Sequence, residues 1–142
     1  MSSNCVFCKI IEGTLPAHRI YEDFEVVAFL DINQTTHGHA LVVPKMHYDH
    51  FLNTPKLLMN QVMNVAQRIG QAQMQILEAK GVNILSNALQ AAGQSVMHFH
   101  VHVIPRFGSS DRLKIEMLHN YQKDQLNLPL LVNQLKSAMN GK

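Results

Sequence analysis

Apolar residues recur along this chain with two periods, and the switches between them mark out the elements. Phe7, Ile10 and Ile11 fall on one side of a short helix that Asn4 caps and Gly13 stops. Residues 19–22 and 26–30 read as two strands around Asp23-Phe24-Glu25, a hairpin, and the turn-forming run 31–38 reads as a loop. Residues 39–43 form a third strand closed by Pro44. Leu58, Val62, Val65, Ile69, Ala72 and Ile76 then follow at helical spacing opposite Asn60, Gln67, Gln71 and Gln75. That pattern predicts a long helix starting near Thr54, with Pro55 at its first position and Lys80-Gly81 at its end. Met59, Met63 and Met74 are read as packing or surface residues on it.

Residues 82–86 make a fourth strand and residues 87–93 a loop. His98, His100 and His102 alternate with Phe99, Val101 and Val103, a period of two that sends three imidazoles to one face of a fifth strand and three apolar groups to the other. Pro105 is expected to end its ladder. Residues 107–125 are polar and mixed, and residues 129–139 suggest a short terminal helix. The fold class is therefore α+β, a mostly antiparallel five-stranded sheet with one long helix packed on it and short N- and C-terminal helices. No linker divides residues 1–142, which are expected to form a single domain that includes the tail 107–142.

Composition narrows the function classes. A formal net charge of +2 is too mild for bulk nucleic-acid binding. No apolar run approaches the ~18–20 residues of a membrane span, and no basic region precedes an apolar segment at the N-terminus. A cytoplasmic, soluble protein is the expectation. Cys5 and Cys8 have the spacing of half a zinc site or of a redox pair, and the βαβ pattern that accompanies the redox pair is absent.

The histidine strand carries the candidate chemistry. Its imidazoles can be metal ligands, nucleophilic and acid–base groups, or a polar face, although a solvated face would carry Lys, Glu, Thr and Ser. A neutral imidazole is a good nucleophile near pH 7, and His100 has a histidine two positions away on each side. Gly93 allows close backbone approach to a phosphate, and Gln94 and Ser95 can donate hydrogen bonds to it or to a leaving group. Asp31, by itself an ordinary loop carboxylate, has acceptor capacity for two hydroxyl donors, and Phe29, Leu30 and Ile32 beside it are apolar. His18, His37, His50 and His119 are read as surface or loop residues.

His98-Phe-His100-Val-His102-Val, with Ala92-Gly93-Gln94-Ser95 before it, resembles the signature of the histidine-triad nucleotide hydrolases and transferases. Phe29-Leu30-Asp31, the run from Gly38 to Pro44 and Cys5-Val-Phe-Cys8 are similar to the same family, so the likeness runs from about Cys5 to Arg106. The resemblance implies that His100 is the nucleophile that becomes nucleotidylated, that His102 contacts the α-phosphate and that His39 is a fourth histidine on an adjacent strand. It also implies a serine at position 95 that assists departure of an amine, Asp31 on the ribose hydroxyls with Phe29, Leu30 and Ile32 against the base, and a phosphate- or ribose-side contact at Asn87. It implies a structural, non-catalytic zinc on Cys5, Cys8, His47 and His98, no organic cofactor, and a homodimer joined at sheet edges.

The leading expectation is a phosphoramidase-type hydrolase acting on AMP or GMP derivatives through a nucleotidyl-His100 adduct. Two rivals stand beside it. One is a dinucleoside polyphosphate hydrolase, in which Arg106 would meet the extra phosphates. The other is a nucleotide-sensing or scaffold protein whose hydrolysis is incidental.

Overall fold

The computed structural model describes residues 4–141. Its element order is α1 (Val6–Glu12), β1 (Arg19–Glu22), β2 (Val26–Leu30), β3 (Ala40–Pro44), α2 (Lys56–Ile76), β4 (Gly81–Leu85), β5 (Val101–Arg106) and α3 (Leu128–Asn140), with single 3₁₀ turns between some of them. The strands form one sheet in the order β1-β2-β3-β5-β4, every neighbouring pair antiparallel. Asp23 closes the β1–β2 hairpin by accepting from the N–H groups of Glu25 and Val26, both at 2.8 Å.

Strand alternation divides the sheet into two unlike faces. Val26, Ala28, Ala40, Val42, Val101 and Val103 point to α2 and meet Val62, Val65 and Ala66 there. Val27, Phe29, Leu41 and Val43 point the other way, against Phe7 and Ile10 of α1. Burying each such Val or Phe stabilises the fold by about 1.5–3 kcal/mol, which fixes the strand register because a one-residue slip would exchange the faces.

Several boundaries differ from the expectations, each for a local reason. The side chain that caps α1 is Cys5, whose Sγ accepts from Cys8 N–H at 3.3 Å, one residue beyond Asn4; Gly13 stops the helix as expected, at φ +88°. Thr54 does not cap α2, because its hydroxyl donates to His50 O at 2.8 Å and closes the preceding turn, leaving Pro55 at the cap position. The same helix ends at Ile76, four residues early. Gln73 O accepts from both Leu77 and Ala79 N–H while Glu78 takes a left-handed φ of +60°, a closed C-terminal cap built without glycine.

β5 also runs through Pro105 to Arg106 where Pro105 was expected to end it. Past Val103 its paired neighbour is β4 alone, so one row of N–H groups has no strand to serve and a proline is tolerated. Gln73 anchors α2 to this region by donating to Gly38 O at 3.0 Å and Val103 O at 3.1 Å. Among the described residues, no helix is long and apolar enough to cross a membrane.

Candidate active site and metal cluster

The regular ladder of β5 begins at Val101, so His98 and His100 sit in its lead-in and only His102 of the three lies on the strand. The lead-in turns away from β3 because Phe99 N–H donates to Tyr48 O at 2.6 Å. Alternation persists nevertheless. Phe99 joins Val101 and Val103 in the α2 core, and the three histidines go to the opposite side. There they part into two groups.

His98 is wholly buried, and its Nε2–H donates to Pro44 O at 2.8 Å. That leaves Nδ1 as the lone-pair nitrogen, 3.4 Å from Cys5 Sγ and 3.6 Å from Cys8 Sγ. His47 repeats the arrangement, with Nε2 at 3.0 Å from Asp49 Oδ1 and Nδ1 at 3.3 Å from Cys8 Sγ. The ligand atoms of Cys5, Cys8, His47 and His98 all lie within 4.8 Å of one another. A tetrahedral zinc with bonds of about 2.3 Å to sulfur and about 2.0 Å to nitrogen sets S and N about 3.5 Å apart, so the S···N spacings fit. The outer nitrogens are held by a carbonyl and a carboxylate, the outer contacts that orient metal-binding imidazoles. Burial pushes His98 down to about 4, so it is neutral and able to ligate at pH 7.

The second group faces a cavity. His100 Nδ1–H donates to the carbonyl of His98 at 2.7 Å, which leaves Nε2 unprotonated. Ser86 Oγ donates to the His100 carbonyl at 2.8 Å, and the edge of Phe7 packs on the ring with centroids 5.0 Å apart. His39 Nδ1 accepts from Thr35 N–H at 3.3 Å, which places the proton on Nε2; that N–H donates to His102 Nδ1 at 2.9 Å. His102 therefore presents Nε2–H. Asp31 Oδ2 lies 3.7 Å from His39 Nε2. Burial lowers the basicity of His39 and His100, and burial with the neighbouring His100 and His39 lowers His102 to about 4. Near neutral pH the three imidazoles are uncharged, with one bare nitrogen on His100 beside one N–H donor on His102.

The cavity has a volume of about 590 Å³, the size of a small-ligand site. Phe29, Leu30, Asp31, Ser95, His100 and His102 line it together. Asn87, Gly93 and Gln94 do not line it. Gln94, expected to donate to a phosphate, is buried and committed: its Nε2 donates to Asp49 O and Val96 O, and its Oε1 accepts from Leu89 N–H. Gly93 takes a left-handed φ of +95° at the end of a short turn, with the Asn87 amide against it. Arg106, expected to be available for extra phosphates, is held by Asp111, Asn83 and the Leu113 carbonyl.

Sequence reasoning missed the wall made by Phe7, Ile10 and residues 15–18; His18 is an exposed loop residue, as expected, and also lines the cavity. Leu15-Pro16 before a strand was a faint signal for it. Ser86 and Thr35 carried no signal, because their roles depend on where the chain folds back.

An N-capped Cys-x-x-Cys helix, an antiparallel sheet with one long helix and a histidine-lined cavity on the far face define a histidine-triad protein. The HIT domain matches residues 12–109, and the chain belongs to the HIT family. A HIT family protein of Bacillus anthracis, solved by crystallography, is 34% identical with a TM-score of 0.88, covering 100% of this chain and 99% of that one. The crystal structure of a zinc-bound histidine triad family protein from Mycobacterium smegmatis is 40% identical with a TM-score of 0.74, covering 95% and 97%. An adenylylsulfatase of Arabidopsis thaliana is 38% identical over 106 residues, 75% of this chain and 54% of the plant protein.

Proposed function

We propose that this protein is a nucleotide-binding hydrolase that attacks the α-phosphate of nucleoside monophosphate derivatives, with a phosphoramidate of AMP or GMP as the substrate type. The observation that carries this reading is the proton arrangement on His100. Its Nδ1–H is engaged by the His98 carbonyl, so the Nε2 lone pair is the ring atom available to the cavity. In the first step that lone pair forms the N–P bond as the leaving group departs with the electrons of its own bond to phosphorus, its proton supplied by the Ser95 hydroxyl or by solvent. In the second, water adds to phosphorus as the N–P bond breaks, its released proton going back to Ser95 or to solvent, and His100 recovers its lone pair. His102 Nε2–H is set to donate to a phosphate oxygen throughout, an electrostatic contribution larger in transition state than in ground state. Asp31 receives the ribose hydroxyls, and Phe29 and Leu30 the base.

The four-residue Cys/His cluster holds a structural zinc in this reading, clamping α1 to the sheet and taking no part in the chemistry. Residues 1–142 act as one domain, and two copies associate into a homodimer in the cytoplasm. The unpaired β4 edge, with Ile84 and Leu85 exposed on it, supports that association. The polyphosphate reading loses its extra-phosphate cation because Arg106 is already paired.

The test is a rapid quench with α-labelled substrate, in which label is expected on wild-type chain and not on His100→Ala. Comparing kcat/KM for adenosine phosphoramidate, diadenosine tetraphosphate and adenylyl sulfate then ranks the leaving groups. Tight mononucleotide binding with no turnover on any of the three would overturn the enzymatic reading in favour of a sensor.

A further inference from the structure

The sheet is wider than the helix that covers it. Five strands about 4.8 Å apart make a face about 19 Å across, and one helix with its side chains is about 10–12 Å wide. α2 lies over the middle of the sheet and leaves the β1 side open. Ile20 of β1, Leu30 of β2, Val65, Ile69 and Ile76 of α2, and the adjoining Leu77 line a groove there of about 520 Å³. Ile20 and Ile76 are 47% and 72% exposed, large apolar side chains with nothing over them. Gln73 in the groove wall keeps a buried Oε1 with no hydrogen-bond partner.

A second unpartnered surface lies at the other end of the chain. Leu128, Leu131, Val132, Leu135 and Met139 follow one another at helical spacing and form a single apolar stripe along α3, yet the helix buries no residue. Thirteen residues are marginal as an isolated helix in water, so α3 needs a surface to hold it. Its length is about 20 Å, enough to lie beside the second half of α2 and complete a two-helix layer.

In its own chain α3 lies away from that groove, burying no residue and contributing none to the groove's lining. Arg106 donates to Asp111, to Asn83 of β4 and to the carbonyl of Leu113, which pins the start of the arm beside β4. That is the edge opposite β1. The likeness to the Bacillus anthracis structure spans the whole of this chain, arm included. We propose that α3 of one chain docks in the α2–β1 groove of a second copy, so that two chains exchange their C-terminal arms. This rests on the dimeric reading above and goes beyond it by naming the segment and its receptor surface.

The chain contains no tryptophan, so Leu135→Trp in the full-length protein reports on α3 alone. Its emission is expected to be blue-shifted, as for a ring removed from water, and to move to the red when Ile76→Glu is added to the same chain. Mixing that double variant with Leu135→Glu chains, whose grooves are intact and which lack tryptophan, restores the blue shift after subunit exchange. Met139→Trp repeats the series at a second site along the stripe. A shift that mixing does not restore means the helix docks on its own chain, and emission like that of the unfolded protein in every sample means it does not dock; either overturns the exchange. Light scattering separates the two readings: a single-chain mass removes the dimer and the exchange with it, whereas a two-chain mass with an exposed tryptophan removes the exchange alone.

Discussion

The two histidine clusters lie a few residues apart in sequence, draw on the same side-chain type, and are built for opposite work. In the first, Nδ1 of His47 and His98 and the sulfurs of Cys5 and Cys8 converge their lone pairs, because a carbonyl and a carboxylate hold the protons on the outer nitrogens. In the second, Asp31, His39 and His102 are as close together, with ligand-type atoms within 4.8 Å. A proton lies between the two imidazoles there, so His102 has spent its acceptor and turns a donor outward. Lone pairs that converge suit a cation. A bare nitrogen beside an outward N–H suits a phosphorus centre with its oxygens. The difference lies in which nitrogen each backbone or side-chain partner occupies, and not in the residues themselves.

The largest effect that would break the comparison is at His100. His100→Ala removes the one bare nitrogen of the second cluster and is expected to lower kcat by at least about 10³-fold, with zinc content unchanged by elemental analysis. A variant that turned over at the wild-type rate would mean that the catalytic assignment is misplaced. Cys8→Ser should do the reverse. If the cluster holds the proposed zinc, this variant is expected to lose it, and to cost about 3 kcal/mol or more of stability at working zinc concentrations. Its kcat, measured while still folded, should stay within a few-fold of wild type. Loss of turnover in step with loss of metal would merge the clusters into one functional unit.

Much of this was legible in the sequence. Alternation at residues 98–103 placed the imidazoles on one side and Phe99, Val101 and Val103 on the other, and the 3.6-residue stripe located α2. The motifs that carry the family resemblance named His47 and His98 together with the cysteines. What the sequence did not carry is where polar groups spend their hydrogen bonds. Gln94 reads as a phosphate donor until three partners are seen to consume it, and Arg106 as a free cation until Asp111 and Asn83 claim it. Thr54 reads as a helix cap until His50 O takes its hydroxyl. Such choices depend on residues brought close by the fold, and no local pattern encodes them. Ile76 belongs to the periodic stripe yet stands exposed, because periodicity reports an apolar face and not what covers it.

Acid should sharpen the contrast. His102 is held at about 4 in the folded chain against about 6.5 when unfolded. The unfolded state therefore binds more protons between those values, and stability falls as pH drops from about 6.5 toward 4, by up to about 1.4 kcal/mol per pH unit for this group. Above 6.5 its contribution is complete. Zinc ligation displaces protons, so the metal-loaded protein carries an additional acid-sensitive term that chelated protein lacks. Denaturant titrations across pH 4–8, with and without chelator, should give two acid limbs, the loaded protein showing the steeper one. A flat profile in both would contradict the neutral, buried imidazoles.

His39→Asn tests the proton relay within the second cluster. It removes the N–H that fixes His102, an interaction worth about 1 kcal/mol, and should lower kcat roughly fivefold while leaving zinc in place. KM for a mononucleotide derivative should change little, because the loss falls on orientation in the reacting complex and not on the base and ribose contacts.

The smallest effect belongs to Ser86, whose hydroxyl supports the His100 carbonyl from β4's end of the sheet. Ser86→Ala removes one hydrogen bond to a backbone atom and adds no bulk, so the loss is about 0.5–1.5 kcal/mol. How that loss divides is informative. If Ser86 only braces the fold, the cost appears in the denaturant midpoint and the rate is untouched. If it sets the ring, tilting the His100 backbone moves Nε2 off line, and the rate of adduct formation should fall a few-fold in single-turnover experiments. Hydrolysis of the adduct, in which water and not the ring must be aligned, should slow less. Ser86→Thr keeps the hydroxyl and should recover the first step, because a donor at that position is what holds the lead-in to β5 in the shape that separates His100 from the metal cluster.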